Sequence, residues 1–369
     1  MSKKIPQLIV IVLVVMQTTC GVFKKNERSA INSLPCDSLI LPNETHFVNM
    51  RQLTFGGDNA EAYWSYDSKQ LVFQKTYEKE GISCDQIYYG TLPKDNNNAF
   101  EPKRLSSGEG RTTCSYFTKN GQSILYASTH DFASACPPVP DKKLIGKYVW
   151  PLYTEFEIYI KNIKTNVVTR LTNNKYYDAE GTVSPDGSKL VFTSTRNGDL
   201  DLYVCDIDGS NVIQITNQLG YDGGAFFSPD GKQLVFRTSR PSSDEEIIEY
   251  KELLSKNMVA PTNMEVFTVN VDGSNMKQIT KLGKANWAPS YHPSGKKIIF
   301  ASNHASLRGF PFNLYMINID GTGLERITNS TQFDAFPMFS PDGKKIAFSS
   351  NRNNNGGRDT NIFIADWVD

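Results

Sequence analysis

Net charge is missing from this sequence, and histidine and cysteine are scarce. The 369 residues carry 39 basic and 39 acidic side chains. That balance argues against a nucleic-acid partner, because a phosphate binder needs a basic surplus to displace counterions. Six cysteines in so long a chain do not make a disulfide-dense miniature fold, and no two are spaced as CxxC, so a zinc site of that kind is excluded. Four histidines (His46, His130, His292 and His304) leave few metal or triad schemes. There is no GxSxG nucleophile elbow, no HExxH and no glycine-rich phosphate loop after a strand. Apolar residues, in contrast, make up 39% of the chain, enough for a large core. With 21 Phe, 17 Tyr, 26 Gly and 18 Pro, the composition favours many short strands joined by turns over long helices.

The start of the chain has its own logic. Lys3 and Lys4 precede an apolar run from Leu8 to Met16, which is too short to cross a hydrocarbon layer of about 30 Å as a helix. Residues 1–20 therefore predict an export signal. Small residues lead to Cys20 and Gly21, as in a lipoprotein cleavage site, although Gln17 stands where that motif usually has Leu. Acylation at Cys20 would tether the protein to a membrane; the alternative is ordinary cleavage nearby and release. Either route places the mature chain in an oxidising compartment, periplasmic, outer-membrane-anchored or secreted, where cysteine pairs become plausible. Residues 21–45 are polar and lack periodicity, and predict a flexible tether.

Internal repetition decides the rest. The clearest copy runs from Phe339 to Arg352 and contains Ser340-Pro341-Asp342-Gly343-Lys344. Related copies begin at Val183, Phe227 and Tyr291, and weaker ones at Trp64 and Phe117. Aligned on Ser65, Thr118, Ser184, Ser228, His292 and Ser340, they are spaced by 53, 66, 44, 64 and 48 residues. A unit near 44 residues, with extra segments in some copies, is the length of a propeller blade. Each unit reads as a strand, a tight Pro-Asp-Gly turn, an apolar strand such as Lys189-Leu190-Val191-Phe192-Thr193, a third strand such as Asp201-Leu202-Tyr203-Val204-Cys205, an Asp-Gly turn, and a last strand ending in Leu/Ile-Thr. The chain opens with an isolated outermost strand, Met50 to Thr54, and stops after a third strand that lacks its fourth. The first segment can complete the last blade and leave no open edge. The predicted fold over 46–369 is all-β: a six-bladed propeller of four-stranded antiparallel blades, closed by the N-terminal strand.

The Ser-Pro-Asp-Gly-Lys turns, the Ser-Asn-Arg ending of the second strand and the Leu/Ile-Thr ending of the fourth make residues 46 to 369 resemble the TolB β-propeller family of exported proteins. That resemblance implies an envelope protein that binds a protein or peptide partner without catalysis, with a separate hydrolase as one such partner, since such propellers also form the non-catalytic part of some peptidases. TolB itself carries an N-terminal α/β domain for which this chain has no room. Fold does not fix function, and propellers host unrelated activities.

Comparing the copies with one another locates candidate site residues. The residue entering the innermost strand is Asn59, Thr112, Asp178, Asp222, Asn286 and Asp334, and the residue leaving the second strand is Tyr77, His130, Arg196, Arg240, His304 and Arg352. Asp and Arg occur together in blades three, four and six, which predicts the ion pairs Asp178–Arg196, Asp222–Arg240 and Asp334–Arg352, each weak if exposed. Tyr77, His130 and His304 are then left for another task at the same end. Two residues further into the innermost strands stand Glu61, Cys114, Glu180, Gly224, Ala288 and Phe336.

Insertions in blades two and four fall at that end as well. The first, about Asp131 to Glu155, is aromatic and proline-stiffened and includes Trp150 and Tyr153. The second begins with the capping box Ser243-Asp244-Glu245-Glu246 followed by apolar residues at helical spacing, and predicts a short amphipathic helix. Cys84, Cys114 and Cys136 gather near this face, with three pairings open, while Cys205 reads as a buried free thiol. His292 replaces a turn Ser at the opposite end.

Two functions follow. The first is a monomeric binding module that recognises a protein or peptide through Tyr77, His130, Trp150, Tyr153, Arg240 and His304. The second is a polysaccharide lyase in which His130, His304, Glu61 and Glu180 hold a divalent cation that acidifies the carbon beside a uronate carboxylate.

Overall fold

The computed structural model describes residues 36–94, 98–141, 145–307 and 309–369. The leader, Cys20 and the tether up to residue 35 lie outside the described residues. Among the described residues no helix is long and apolar enough to cross a membrane.

Six four-stranded antiparallel sheets follow one another along the chain. Blade three is representative: Asp178–Val183, Lys189–Ser194, Asp201–Asp206 and Ile213–Gln214, ordered from innermost to outermost. The sixth blade is Asp334–Phe339, Lys345–Ser350 and Asn361–Trp367, and its outermost strand is Phe47–Gln52 from the start of the chain, with Phe47 opposite Trp367 and Gln52 opposite Phe363. The first blade's inner strand, Asp58–Trp64, packs directly on the sixth blade, so the sheets form a ring.

Three devices recur through the copies, with substitutions in some blades, and explain the repeat. At the first turn, the Ser hydroxyl donates to the Asp two residues on and accepts the amide five residues on; Ser184 does so with Asp186 and Lys189 at 2.5 and 2.9 Å. Gly187, at φ 82°, completes that turn in a conformation that L side chains rarely adopt. In blade five His292 takes the Ser place, its Nδ1 accepting the Ser294 amide at 3.1 Å. Within the sheet, the fourth residue of the second strand is a buried aromatic set against an aromatic of the third strand. Phe192 and Tyr203 have centroids 5.8 Å apart, and Phe348 and Phe363 also 5.8 Å. At the outer edge, the Thr of Leu/Ile-Thr accepts a third-strand amide: Leu202 donates to Thr216 at 2.9 Å, and Ile362 to Thr54 at 2.9 Å. The final strand can therefore be two residues long and still be anchored.

Residues 36–45, read above as tether, are partly built into the ring. A 3-10 turn at Cys36–Leu39 leads to Leu39 and Glu44, both buried against the last blade.

Candidate functional site

The innermost strand of every blade loses register at the same place, between Ala60 and Tyr63 in blade one and between Ala179 and Thr182 in blade three. In each of these bulges one residue is left-handed: Glu61, Cys114, Glu180, Gly224, Ala288 and Phe336, with φ from 48° to 60°. Such backbone costs on the order of 1–3 kcal/mol where the residue is not glycine, and a bulge re-aims the side chain it carries. All six residues line one cavity of about 640 Å³ at the centre of the ring.

The two insertions meet over this cavity. Trp150–Pro151 of the first pairs antiparallel with Met258–Val259 of the second, and the Leu152 amide donates to the Asn257 carbonyl at 2.8 Å. The helix predicted from the capping box spans Asp244–Ser255, with the Ser243 and Glu246 reciprocal bonds both made. It buries Tyr250 and Leu253, and the Tyr250 hydroxyl donates to Asp199 of blade three. Of the three cysteine pairings, the structure has Cys84–Cys136, which fastens the first insertion to blade one; Cys114 stays a free thiol on the cavity wall and Cys205 a buried one. The double change Cys84→Ser with Cys136→Ser is expected to speed tryptic cleavage within residues 137–149 severalfold while the far-ultraviolet circular dichroism stays unchanged. An unaltered cleavage rate would mean that the short strand pairing alone secures the loop.

The cavity has two unlike walls. Blades five and six and the roof supply aromatic rings, with Trp287 stacked on Phe312 at 4.5 Å and tilted against Trp150 at 5.3 Å. Blades one to four supply charge. Arg111 pairs with Asp85 at 2.7 Å. Glu180 is held by Arg237 at 2.5 Å, the Tyr221 hydroxyl at 2.5 Å, the Gly224 amide at 2.7 Å and the Thr193 hydroxyl at 2.9 Å. The Arg237 guanidinium also lies 5.1 Å from the rings of both Trp150 and Tyr221. It occupies the space above Gly224, where a Cβ would lie 1.8 Å from its Nη1. Glu61 has no cationic partner within ion-pair distance among the described residues; its oxygen meets the Tyr63 hydroxyl at 3.4 Å.

Burial lifts the Glu61 carboxyl to about 7; Arg237 opposes that shift, and Glu180 and Asp85 add to it. The folded protein thus holds this proton more tightly than the unfolded chain, and stability is lost as pH rises from the ordinary glutamate value through 7. Glu61→Gln should raise Tm relative to the parent at pH 8 and lose that advantage toward pH 4.5, as read by thermal melts across that range. An equal difference at both ends would contradict the assignment.

The site residues expected from sequence separate into two groups. Glu61, Glu180, Trp150 and Tyr153 line the cavity; Tyr77, His130, Arg240 and His304 do not. His130 and His304 take the place that arginine holds in other blades. Each Nδ1 is hydrogen-bonded to the Ser two residues before, at 2.8 and 2.9 Å, and each ring packs on a third-strand tyrosine, Tyr159 at 4.5 Å and Tyr315 at 4.6 Å. The proposed metal set of His130, His304, Glu61 and Glu180 therefore does not converge, and no group of three or more His, Cys, Asp or Glu suited to a metal ion occurs among the described residues. Tyr77 covers Gly56 and Gly57 beside the blade-one loop.

The three Asp-Arg pairs are present, at 3.0 Å for Asp178–Arg196, 2.7 Å for Asp222–Arg240 and 2.8 Å for Asp334–Arg352. The weakness expected of exposed pairs does not apply, since all three carboxylates are fully buried. Arg237 was not anticipated. Its signal was present in the copies, where the fifth residue of the second strand is Gln74, Ala127, Thr193, Arg237, Ala301 and Ser349, with one charge among six.

The model of the TolB beta propeller domain matches residues 140–251 and 242–359. Among curated proteins there is no match to the sequence. A putative TolB from Agrobacterium tumefaciens is 20% identical with a TM-score of 0.53, covering 85% of this chain and 91% of that one. TolB from Acinetobacter baumannii is 18% identical with a TM-score of 0.56, covering 83% of this chain and 65% of that one. An oligogalacturonate lyase in complex with manganese is 13% identical with a TM-score of 0.50, covering 87% and 93%. At these identities the likeness is one of fold.

Proposed function

The chain belongs to the TolB β-propeller domain family, and on that premise we propose that it is a non-catalytic, monomeric binding module of the cell envelope. It takes a segment of a protein or peptide partner into the chamber under its two insertions, and a separate hydrolase is one such partner. Export by the leader over 1–20, with periplasmic residence or outer-membrane anchoring through Cys20, belongs to the same reading.

The observation that carries it is the meeting of Trp150–Pro151 with Met258–Val259 over the axis. Two loops that a six-fold repeat does not need join to make a cavity of about 640 Å³, within the usual size range of a ligand site. A mixed wall of rings and charges suits a peptide, whose side chains supply apolar area while its polar groups fix orientation. The uronate-lyase alternative requires two histidines at the channel, and His130 and His304 are engaged with Tyr159 and Tyr315 outside it. Stoichiometric metal that disappears in both His130→Ala and His304→Ala would reverse this preference.

The test is capture of partners from envelope extracts by the parent and by the double variant Trp150→Ala with Tyr153→Ala. The variant should keep its β-sheet circular dichroism and lose the partner. Retention of every captured protein by the variant would remove the insertion-bearing face from consideration.

A further inference from the structure

The chamber's charges do not balance, and the imbalance has a sign. Asp85 is matched by Arg111 at 2.7 Å and Glu180 by Arg237 at 2.5 Å. Glu61, from the first blade's inner strand and on the cavity wall, has no such match among the described residues, whereas Asp58 at the start of the same strand is exposed to solvent. The same cavity is lined by aromatic rings, among them Trp287, Phe312 and Trp150. An unmatched carboxylate in a largely apolar cavity is unfavourable unless it takes up a proton or meets a cation. Rings also attract a cation through their negative faces.

Resting on the binding function proposed above, we infer that the group the partner inserts is a basic side chain flanked by apolar residues. Glu61 is its counter-ion, and Trp287 and Trp150 cover its body. Arg237 already shows the geometry, a guanidinium set between a carboxylate and the Trp150 ring at 5.1 Å. The incoming charge would be the second cation of a cluster that now holds Glu61, Glu180 and one arginine. Burial lifts Glu61 to about 7, so a cation displaces its proton. The other groups facing it are Tyr63 and Cys114, both raised by burial, together with Arg237, Glu180 and Asp85. Affinity for a basic segment therefore rises between pH 6 and 8.

Three matched probes test this: acetyl-Phe-Lys-Phe-amide, its norleucine analogue and its glutamate analogue, titrated against the full chain by tryptophan fluorescence. The lysine peptide should bind at least about ten-fold more tightly than the norleucine peptide, with the glutamate peptide weakest. Glu61→Gln, which is expected to fold stably, should bring lysine and norleucine within about two-fold of each other. Trp287→Leu should weaken all three. Glutamate binding as tightly as lysine would overturn the inference, because Arg237 would then be the reading group. A lysine preference that survives Glu61→Gln unchanged would overturn it too. If none of the three binds up to about 1 mM while the envelope partner is still captured, the charge inference fails and the binding function stands; loss of capture as well removes both.

Discussion

Replacing Arg352 with methionine is expected to lower stability by roughly 3–5 kcal/mol, because it strips two buried carboxylates of the only cation that pairs with them among the described residues. Arg352 reaches Asp334 at 2.8 Å and both oxygens of Glu44 at 3.0 Å, and also donates to the Leu39 carbonyl at 3.0 Å. The arginine side chain is 5% exposed and both acids are fully buried. Glu44 precedes the first strand of the chain, while Arg352 and Asp334 belong to the last blade. The cluster therefore ties the N-terminal segment to the blade that its strand completes. Arg196→Met is the control, since it occupies the equivalent place in blade three with a single acid and a more exposed guanidinium. Chemical denaturation should rank Arg352→Met clearly below Arg196→Met, and adding Glu44→Gln should restore part of the loss. Equal effects of the two arginine changes would show that the N-terminal segment contributes nothing to closure.

The second large effect is expected at Arg237. Arg237→Met should cost about 3 kcal/mol, since buried Glu180 would be left beside Glu61 without its ion-pair partner. The loss is smaller than at Arg352 because Tyr221, Thr193 and the Gly224 amide still donate to Glu180. The double variant Arg237→Met with Glu180→Gln should recover most of the stability, giving a coupling of at least about 1–2 kcal/mol in the double-mutant cycle. Additive effects would mean that the pair is not a unit. Trp150 should report the same change, because its ring loses the guanidinium 5.1 Å away.

The ring was legible in sequence because each of its devices is local. The Ser-Pro-Asp-Gly turn closes on itself within six residues, the Leu/Ile-Thr ending answers a strand about fourteen residues earlier, and the capping box at Ser243 and Glu246 is complete within four. Six copies also gave six chances to see each pattern. The Asp-Arg pairs were visible for that reason, though their burial was not, because it depends on the loops that cover them. The chamber was half legible. The six bulge residues were correctly aligned, but that they share one cavity depends on ring closure. Its roof rests on two residues meeting two others more than a hundred positions away, a contact with no local signature. The histidines misled for the opposite reason: a ring nitrogen bonded to a Ser and a face set on a Tyr does the work that arginine does in neighbouring copies, so a change of residue type did not mean a change of role.

On the proposed binding function, partners enter at the end roofed by the two insertions. Photo-crosslinking measures this directly. A photoreactive phenylalanine analogue in place of Phe310, exposed at the rim of the chamber, should trap the envelope partner, and the same analogue in place of Lys344, exposed on a turn at the other end of the blades, should not. Trapping from position 344 and not from position 310 would contradict the account.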